Sequence, residues 1–407
     1  MKNNQDRRRH QLTQPASKET QPKTSAEGIK TQGQAKSGAY LGWLFQCPPG
    51  LSAILKKEMV FCSTLDRKQE LFIKHQRNHD LVFAHRVKNP ENLEQLRIAE
   101  MALRCPLFGR FKISKNQLEV MATEMKELGP RRLVVSVTGQ HFQRHDLARW
   151  ITKEMADRDY HFIARDVSED DDLDDNMEES HQPRERKLSN DEVWMFCVDE
   201  AYYFGVPIIK ARDLESRQHR IAERKGSLPP AIAAAMAFCG MPKAEDVILD
   251  PTCGSGTLLV EAGCYAPKAR LIGQDMDPEA VGIAKKNLSH LAETSRVEIR
   301  EGDSRKLDIP DGEVNLILAN LPFGLQFGSR EDNPKLYREL ITEMVRVASP
   351  EKWRAVLLTS DTSSLQKALT AITSNATATD AVKNMKIEML FKVKIRGELA
   401  TATRIQI

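Results

Sequence analysis

No apolar run in the 407-residue chain approaches the roughly 20 residues that cross a bilayer, and no apolar segment near Met1 resembles a secretory signal. A soluble protein is the expectation. Cysteine is scarce and unpatterned: Cys47, Cys62, Cys105, Cys197, Cys239, Cys253 and Cys264 are odd in number, with no C-x-x-C and no Cys/His spacing suited to zinc. That argues against a disulfide framework and a structural metal, and places the chain in a reducing, cytoplasmic setting. An excess of one charge is also missing. Sixty Lys and Arg against 57 Asp and Glu leave +3, so composition alone does not announce a nucleic-acid partner. The length allows two or three domains with sizeable cores.

What is present is a strand, a glycine corner and a helix. Val247-Ile248-Leu249 runs into Asp250-Pro251-Thr252-Cys253-Gly254-Ser255-Gly256-Thr257, and an apolar helical stretch, Leu258 to Ala262, follows. Two glycines let backbone approach a ligand, and a helix N-terminus offers N–H groups to an anion. Such a corner also serves merely to pack a strand on a helix, so its neighbours decide. From Val247 onward strand and helix alternate, which predicts a doubly wound sheet. Leu271 to Gln274 is the second strand and ends at Asp275, about 20 residues past the corner, where an acid suits a ribose. Arg296 to Glu301 is the third and ends in Gly302-Asp303, a carboxylate placed for an adenine amine. Val314 to Ala319 is the fourth and ends in Asn320-Leu321-Pro322-Phe323-Gly324.

That last turn separates a nicotinamide dinucleotide from S-adenosylmethionine. The corner lacks the third glycine of the dinucleotide fingerprint, with Leu259 in its place. Asn-Leu-Pro-Phe has no role in hydride transfer, but it suits methyl transfer to an exocyclic amine. Such a nitrogen is a poor nucleophile because its lone pair is delocalised into the ring. An Asn oxygen and a backbone carbonyl can accept both N–H protons and draw the nitrogen towards tetrahedral geometry, while the aromatic residue stacks on a base turned out of its helix. The plainer alternative is a strand-end turn with a packed Phe.

The first half is less explicit. Residues 1–38 are rich in Gln, Lys, Thr and Ser, with Arg7-Arg8-Arg9, and are expected to be a disordered basic arm, either touching phosphate or passively solubilising. Order is expected from Tyr40: a strand Leu41 to Gln46, a turn Pro48-Pro49-Gly50, a helix Leu51 to Val60, short strands at Leu71 to Ile73 and Leu81 to Ala84, and helical spacing over Leu93 to Cys105. A second unit predicts a helix Gln117 to Leu128, a strand Arg132 to Thr138, a helix Asp146 to Asp159, and a hairpin of Glu192 to Val198 and Ala201 to Gly205. Between them Ser168 to Asn190 is an acidic loop without the Gly and spaced ligands of a calcium site. Arg131, Arg132, Arg144, Arg149 and Lys153 form a candidate basic face, which is either solvated or apposed to RNA. Lys210 to Lys225 is a basic connector, and Gly226-Ser227-Leu228-Pro229-Pro230 opens an Ala-rich helix, Ala231 to Cys239.

Asp250 to Glu261, Gly273 to Pro278, Gly302-Asp303 and Asn320 to Phe323 together resemble the class I amino-methyltransferases, and most of all the THUMP-domain RNA guanine methyltransferases. Upstream, Cys47-Pro48-Pro49-Gly50-Leu51, Val193 to Gly205 and Gly226 to Pro230 are similar to that family's N-terminal segment, THUMP end and cofactor-covering segment. The resemblance implies an α/β Rossmann-like methyltransferase domain over 211–407. It also implies a ferredoxin-like domain over 39–112 and an RNA-binding THUMP domain over 113–210 that carries the acidic loop 168–190. It implies S-adenosylmethionine held by Asp250, Thr252, Gly254, Ser255, Gly256, Asp275, Met276, Asp303, Ser304 and Asn320, and catalysis by Asn320, Leu321, Pro322 and Phe323. Arg131, Arg132, Arg144, Arg149 and Lys153 would grip RNA, expected to be the acceptor end of tRNA, with N2-methylguanosine the product. No metal and no membrane are expected, and a monomer is. Ribosomal or other structured RNA is the alternative substrate, and adenine in DNA or glutamine in protein a more distant one. One departure from the Asn-Pro-Pro-Tyr/Phe pattern is Leu321, which gives up a proline and is expected to loosen the turn.

Overall fold

The computed structural model of the protein describes residues 42–76, 79–110, 113–138, 144–163, 192–198, 201–209, 226–324, 331–375 and 378–406. The basic arm 1–38, the acidic loop 168–190 and the connector 210–225 lie outside the described residues. Two seven-stranded sheets account for the rest.

The first sheet is built from β1 (Gly42–Cys47), β2 (Phe72–His75), β3 (Asp80–Ala84), β4 (Met101–Arg110), β5 (Arg132–Thr138), β6 (Glu192–Val198) and β7 (Ala201–Ile209), in the order β2-β3-β1-β4-β7-β6-β5. Only β5 and β6 run parallel. Helix α1 (Ser52–Phe61) covers one end, while α2 (Lys115–Leu128) and α3 (Arg144–Ala156) pack on the other through Leu118, Met121, Met125, Leu147, Ile151 and Met155. Helix α2 starts cleanly because Ser114 and Gln117 form a reciprocal capping box. The expected helix over Leu93 to Cys105 is not found. A short 3-10 turn, Pro90–Gln95, precedes the long strand β4, which joins the two units expected before residue 210 into one sheet. The apolar spacing there misleads because β4 is covered on both faces, which erases the period-2 signature. Pro106 is accommodated where the β4–β7 register shifts, the place in a sheet that tolerates a missing N–H.

The second sheet has β8 (Val247–Asp250), β9 (Arg270–Asp275), β10 (Arg296–Glu301), β11 (Leu316–Asn320), β12 (Arg354–Thr359), β13 (Lys386–Ile395) and β14 (Glu398–Gln406), in the order β10-β9-β8-β11-β12-β14-β13. Strands β8 to β12 are parallel. The chain steps outward from β8 to β9 and β10 on one side, then returns to lay β11 and β12 on the other. The crevice where the order reverses, at the carboxyl ends of β8 and β11, is where open α/β sheets bind ligands. Strict alternation fails twice: no helix separates β10 from β11, and β13 and β14 form an antiparallel hairpin at the sheet's edge.

The Ala-rich helix α4 (Pro230–Gly240) is buried almost throughout, and its small side chains let it lie close to α5 (Thr257–Tyr265) and the sheet. Polar links tie the two sheets' surroundings together. Arg97 Nε donates to Glu261 Oε2 at 2.6 Å, and Glu58, wholly buried on α1, accepts from the backbone N–H of Arg97 and Ile98 and from the hydroxyl of Tyr265. All seven cysteines are unpaired. Among the described residues no helix is long and apolar enough to cross a membrane.

Candidate active site

The corner after β8 is fastened by the protein's own hydrogen bonds. Cys253 N donates to the Gln274 carbonyl, Gly254 N to Asp275 Oδ2 at 2.8 Å, and Gly256 N to the Cys253 carbonyl. The two glycines do different work. Gly254 (φ +51°) would direct a Cβ into open space, so backbone faces the cleft there. Gly256 (φ +80°) would drive a Cβ to 2.8 Å from Leu288 Cδ1 on α6 (Pro278–Leu288). It is needed for the left-handed turn and close helix packing, and its neighbours Ser255 and Thr257 line the cleft. Ser255 is held by Ser227 Oγ at 2.9 Å, Thr257 Oγ1 at 3.1 Å and, through its carbonyl, Asn287 Nδ2.

Asp250 is buried at the end of β8. Burial pushes its carboxyl up to about 8, the neighbouring Asp275 adds to this, and the Thr252 N–H opposes it. Asp275 is half-buried and accepts from Gly254 N and Asp277 N, which fixes both oxygens while leaving lone pairs for hydroxyls. Asp303 arrives differently from expectation. Its carboxylate is gripped by the Arg305 guanidinium, with Nη2 to Oδ2 at 2.6 Å, which holds its carboxyl below the usual range. Gln274 Nε2 donates to the Asp303 carbonyl and sets that loop against β9.

At the end of β11, Asn320 Oδ1 is buried and has no hydrogen-bond partner among the described residues. An acceptor left so costs about 1–3 kcal/mol, which makes it a site prepared for a donor. The turn behind it is firm. Leu321 N donates to the Leu358 carbonyl at 2.9 Å and the Leu321 side chain is buried, so the position that gave up proline gained a ladder bond instead. The Pro322 carbonyl accepts from the hydroxyl of Tyr337, at 2.6 Å, which in turn meets Thr359 Oγ1 at 2.7 Å. Tyr337 lies wholly inside on α7 (Asn333–Val347), and burial pushes its hydroxyl up to about 12, so it stays a donor. Phe323 is half-buried at the cleft wall.

A cleft of about 580 Å³ unites these pieces. It is lined by Asp250, Thr252, Gly254, Ser255, Asp275, Met276, Asp303, Ser304, Asn320, Leu321, Pro322 and Phe323, that is, by every expected cofactor and catalytic residue except Gly256. The covering segment Gly226-Ser227-Leu228 lines it too. Sequence reasoning missed Arg305, Leu336, Leu340, Ile395, Arg396 and Glu398, which also line it. Only the Arg-Gly pair at 396–397, a turn signal between two strands, pointed that way. The basic set lies on the other sheet's elements. Arg131 and Arg132 are half-buried at the start of β5, Arg144 is half-buried on α3, and Arg149 and Lys153 are exposed one turn apart on α3.

Residues 217–392, which contain the glycine corner, both acid-ended strands and the Asn320 turn, match the family model described as RMKL-like, methyltransferase domain. Those residues are therefore similar to the methyltransferase domains of that family. Over 162 residues this chain is 35% identical to the tRNA (guanine(6)-N(2))-methyltransferase THUMP3 of Homo sapiens, covering 35% of this chain and 31% of that protein. Over 172 residues it is 31% identical to the U6 snRNA (guanine-N(2))-methyltransferase THUMPD2 of Mus musculus, covering 42% of this chain and 31% of that one. The matches thus span about a third of these relatives' length. The crystal structure of TrmN from Thermus thermophilus superposes with a TM-score of 0.66 at 20% identity, over 90% of this chain and 99% of that one. At that identity the likeness speaks for the fold, and it extends beyond the methyltransferase domain to the first sheet.

Proposed function

We propose that the chain is an S-adenosylmethionine-dependent enzyme that methylates the exocyclic N2 amine of guanosine in tRNA, in the cytoplasm. The observation that carries this reading is the buried Asn320 Oδ1, without a partner among the described residues, in one cleft with Asp275 and an open glycine corner. The residues fit that cofactor: Gly254 leaves room for the methionine part, Asp275 has lone pairs for ribose hydroxyls, and Met276, 68% exposed beside it, offers apolar surface to adenine. Asp303 serves by way of its loop and its Arg305 partner as much as by its own carboxylate. The bound cofactor supplies an electrophilic methyl on a sulfonium centre.

The chain's own part is alignment. Asn320 Oδ1 and the Leu321 carbonyl accept the two N–H protons of the amine, since the Pro322 carbonyl is already taken by Tyr337. Each acceptor localises the nitrogen lone pair, and Phe323 stacks on the base. Preorganised acceptors supply the acceleration without a strong base. The first sheet, with 39–112 as a ferredoxin-like unit and 113–210 as a THUMP unit, holds the RNA through Arg149 and Lys153, and Arg131, Arg132 and Arg144 support that face from partly buried positions. The two guanine-N2 relatives differ in the RNA they are named for, so the chemistry belongs to the matched half and the choice of RNA to the rest of each chain.

The test is radiolabelled methyl transfer to total RNA from a strain lacking the protein, with nucleoside identification. Wild type should label N2-methylguanosine in the tRNA fraction. Asn320→Ala should lose turnover by about 100-fold or more while it binds cofactor and RNA as before. Undiminished incorporation by that variant would remove Asn320 from the reaction.

A further inference from the structure

The hairpin turn between β13 and β14 stands on the base side of the cleft, and nothing in the amine-binding device accounts for it. Along the carboxyl edge of the second sheet the order is Asp303 after β10, Asp275 on β9, Asp250 on β8, Asn320 on β11, Thr359 on β12, and then the hairpin. Thr401 pairs with Thr359, so Glu398 to Ala400 extend beyond the last residue of β12, and Ile395 pairs with Glu398 to close the turn. Arg396 (φ +49°) and Gly397 (φ +85°) make that turn in left-handed conformations. Ile395, Arg396 and Glu398 all line the cleft. The acids suited to ribose and adenine therefore lie on one side of Asn320, and a half-buried carboxylate, Glu398, lies on the other.

We infer that Glu398 is the residue that selects guanine, by accepting the N1–H next to the amine held at Asn320. This rests on the amine-methylation reading and deepens it. The chemistry is discriminating. Among the four bases only guanine carries an exocyclic amine flanked by a ring N–H; adenine and cytosine present a lone pair at the corresponding atom. A carboxylate there gains a charge-assisted hydrogen bond from guanine and meets a second acceptor in adenine or cytosine. Asn320 and the Leu321 carbonyl read only that an amine is present, so a base-selecting group must come from another element, and the hairpin, on the far side of β12 from them, lines the same cleft. Glu398 thus determines specificity and takes no part in the transfer itself.

The experiment uses the full chain with S-adenosylmethionine and tRNA transcripts that carry either guanosine or 2-aminopurine riboside at the position wild type methylates. The analogue keeps the amine and lacks the N1–H. Wild type should prefer guanosine in kcat/KM by about 10- to 100-fold, the worth of one hydrogen bond to a charged group. Glu398→Gln should lower kcat/KM on guanosine by about tenfold or more and bring the guanosine to 2-aminopurine ratio close to one, with a melting temperature near wild type. Equal losses on both substrates would show a structural role and overturn the assignment, as would an unchanged ratio. Wild-type transfer to adenosine would overturn it while leaving Asn320 in place. Absence of any wild-type transfer to RNA would sink the amine-methylation reading itself.

Discussion

Tyr337→Phe removes a single oxygen and tests whether the Asn320 turn must be rigid. The hydroxyl donates to the Pro322 carbonyl at 2.6 Å and meets Thr359 Oγ1 at 2.7 Å; Thr359 also accepts from Asp361 N at 2.9 Å. The chain of bonds runs from the start of α8 (Thr362–Thr373), through the end of β12, to the turn that presents the acceptors. The ring stays in place because the variant is isosteric in a core of Leu340, Ile341, Leu357 and Leu365. What disappears is the donor to a buried carbonyl, worth about 1–3 kcal/mol. For a domain of this size about 2 kcal/mol lowers the melting temperature by roughly 4–8 °C. A turn freed to move by about 1 Å costs up to ~100-fold in rate, so kcat should fall by about 10- to 100-fold. Cofactor affinity should change by less than about twofold, because most of the residues proposed to hold it lie at the ends of β8, β9 and β10 and in the turns that follow. Calorimetric titration of cofactor and single-turnover methyl transfer separate the two effects. Thr359→Val, which cuts the outer link and leaves the Tyr337–Pro322 bond, should lose stability and keep most of the rate. A Tyr337→Phe enzyme that melts early but turns over like wild type would refute the idea that this hydroxyl positions the acceptors.

Two further outcomes follow from charge. Burial raises the Asp250 carboxyl from its ordinary value of 3.8 to about 8, so its contribution to stability is complete below about pH 4 and is gone once pH has climbed through about 8. Apo Asp250→Asn should abolish that decline, and scanning calorimetry from pH 5 to 9 should show the two proteins diverging by a few kcal/mol; parallel curves would exclude an uncharged Asp250. Arg149→Glu combined with Lys153→Glu should weaken RNA binding and reduce its salt slope by about one for each phosphate no longer neutralised, read by filter binding. Stability should barely move, since the Arg149–Asp146 pair is on the surface. Weaker affinity with an unchanged salt slope would count against direct pairing with phosphate.

The C-terminal half is legible because its candidate site residues sit at strand ends, where sequence and geometry coincide. A parallel strand ends at a fixed edge, so Asp250, Asp275 and Asn320 must meet once the order of strands is right. Two things are hidden. Arg305 binds the carboxylate of Asp303 two residues away, a pairing set by the loop's shape and not by any periodicity. Gly256 reads as a ligand glycine, and a further constraint on it is Leu288 on α6, thirty-odd positions later, which only packing reveals. In the first half, Met101 to Cys105 at the start of β4 reads as the end of a helix because a strand covered on both faces shows no alternation.

Leu321 shows how a departure from a motif is absorbed. Proline at this position would restrict the backbone but could not donate. With leucine, the N–H extends the β11–β12 ladder by one bond to Leu358, and the side chain fills the core beside Tyr337. The turn therefore exchanges a covalent restraint for a hydrogen bond and buried apolar surface, both drawn from neighbouring elements of the same sheet. The acceptor carbonyl of residue 321 belongs to the main chain and is present in either case. What the proposed site requires is thus a fixed backbone that presents a carbonyl to the amine, and Tyr337 helps to fix it by bonding the Pro322 carbonyl.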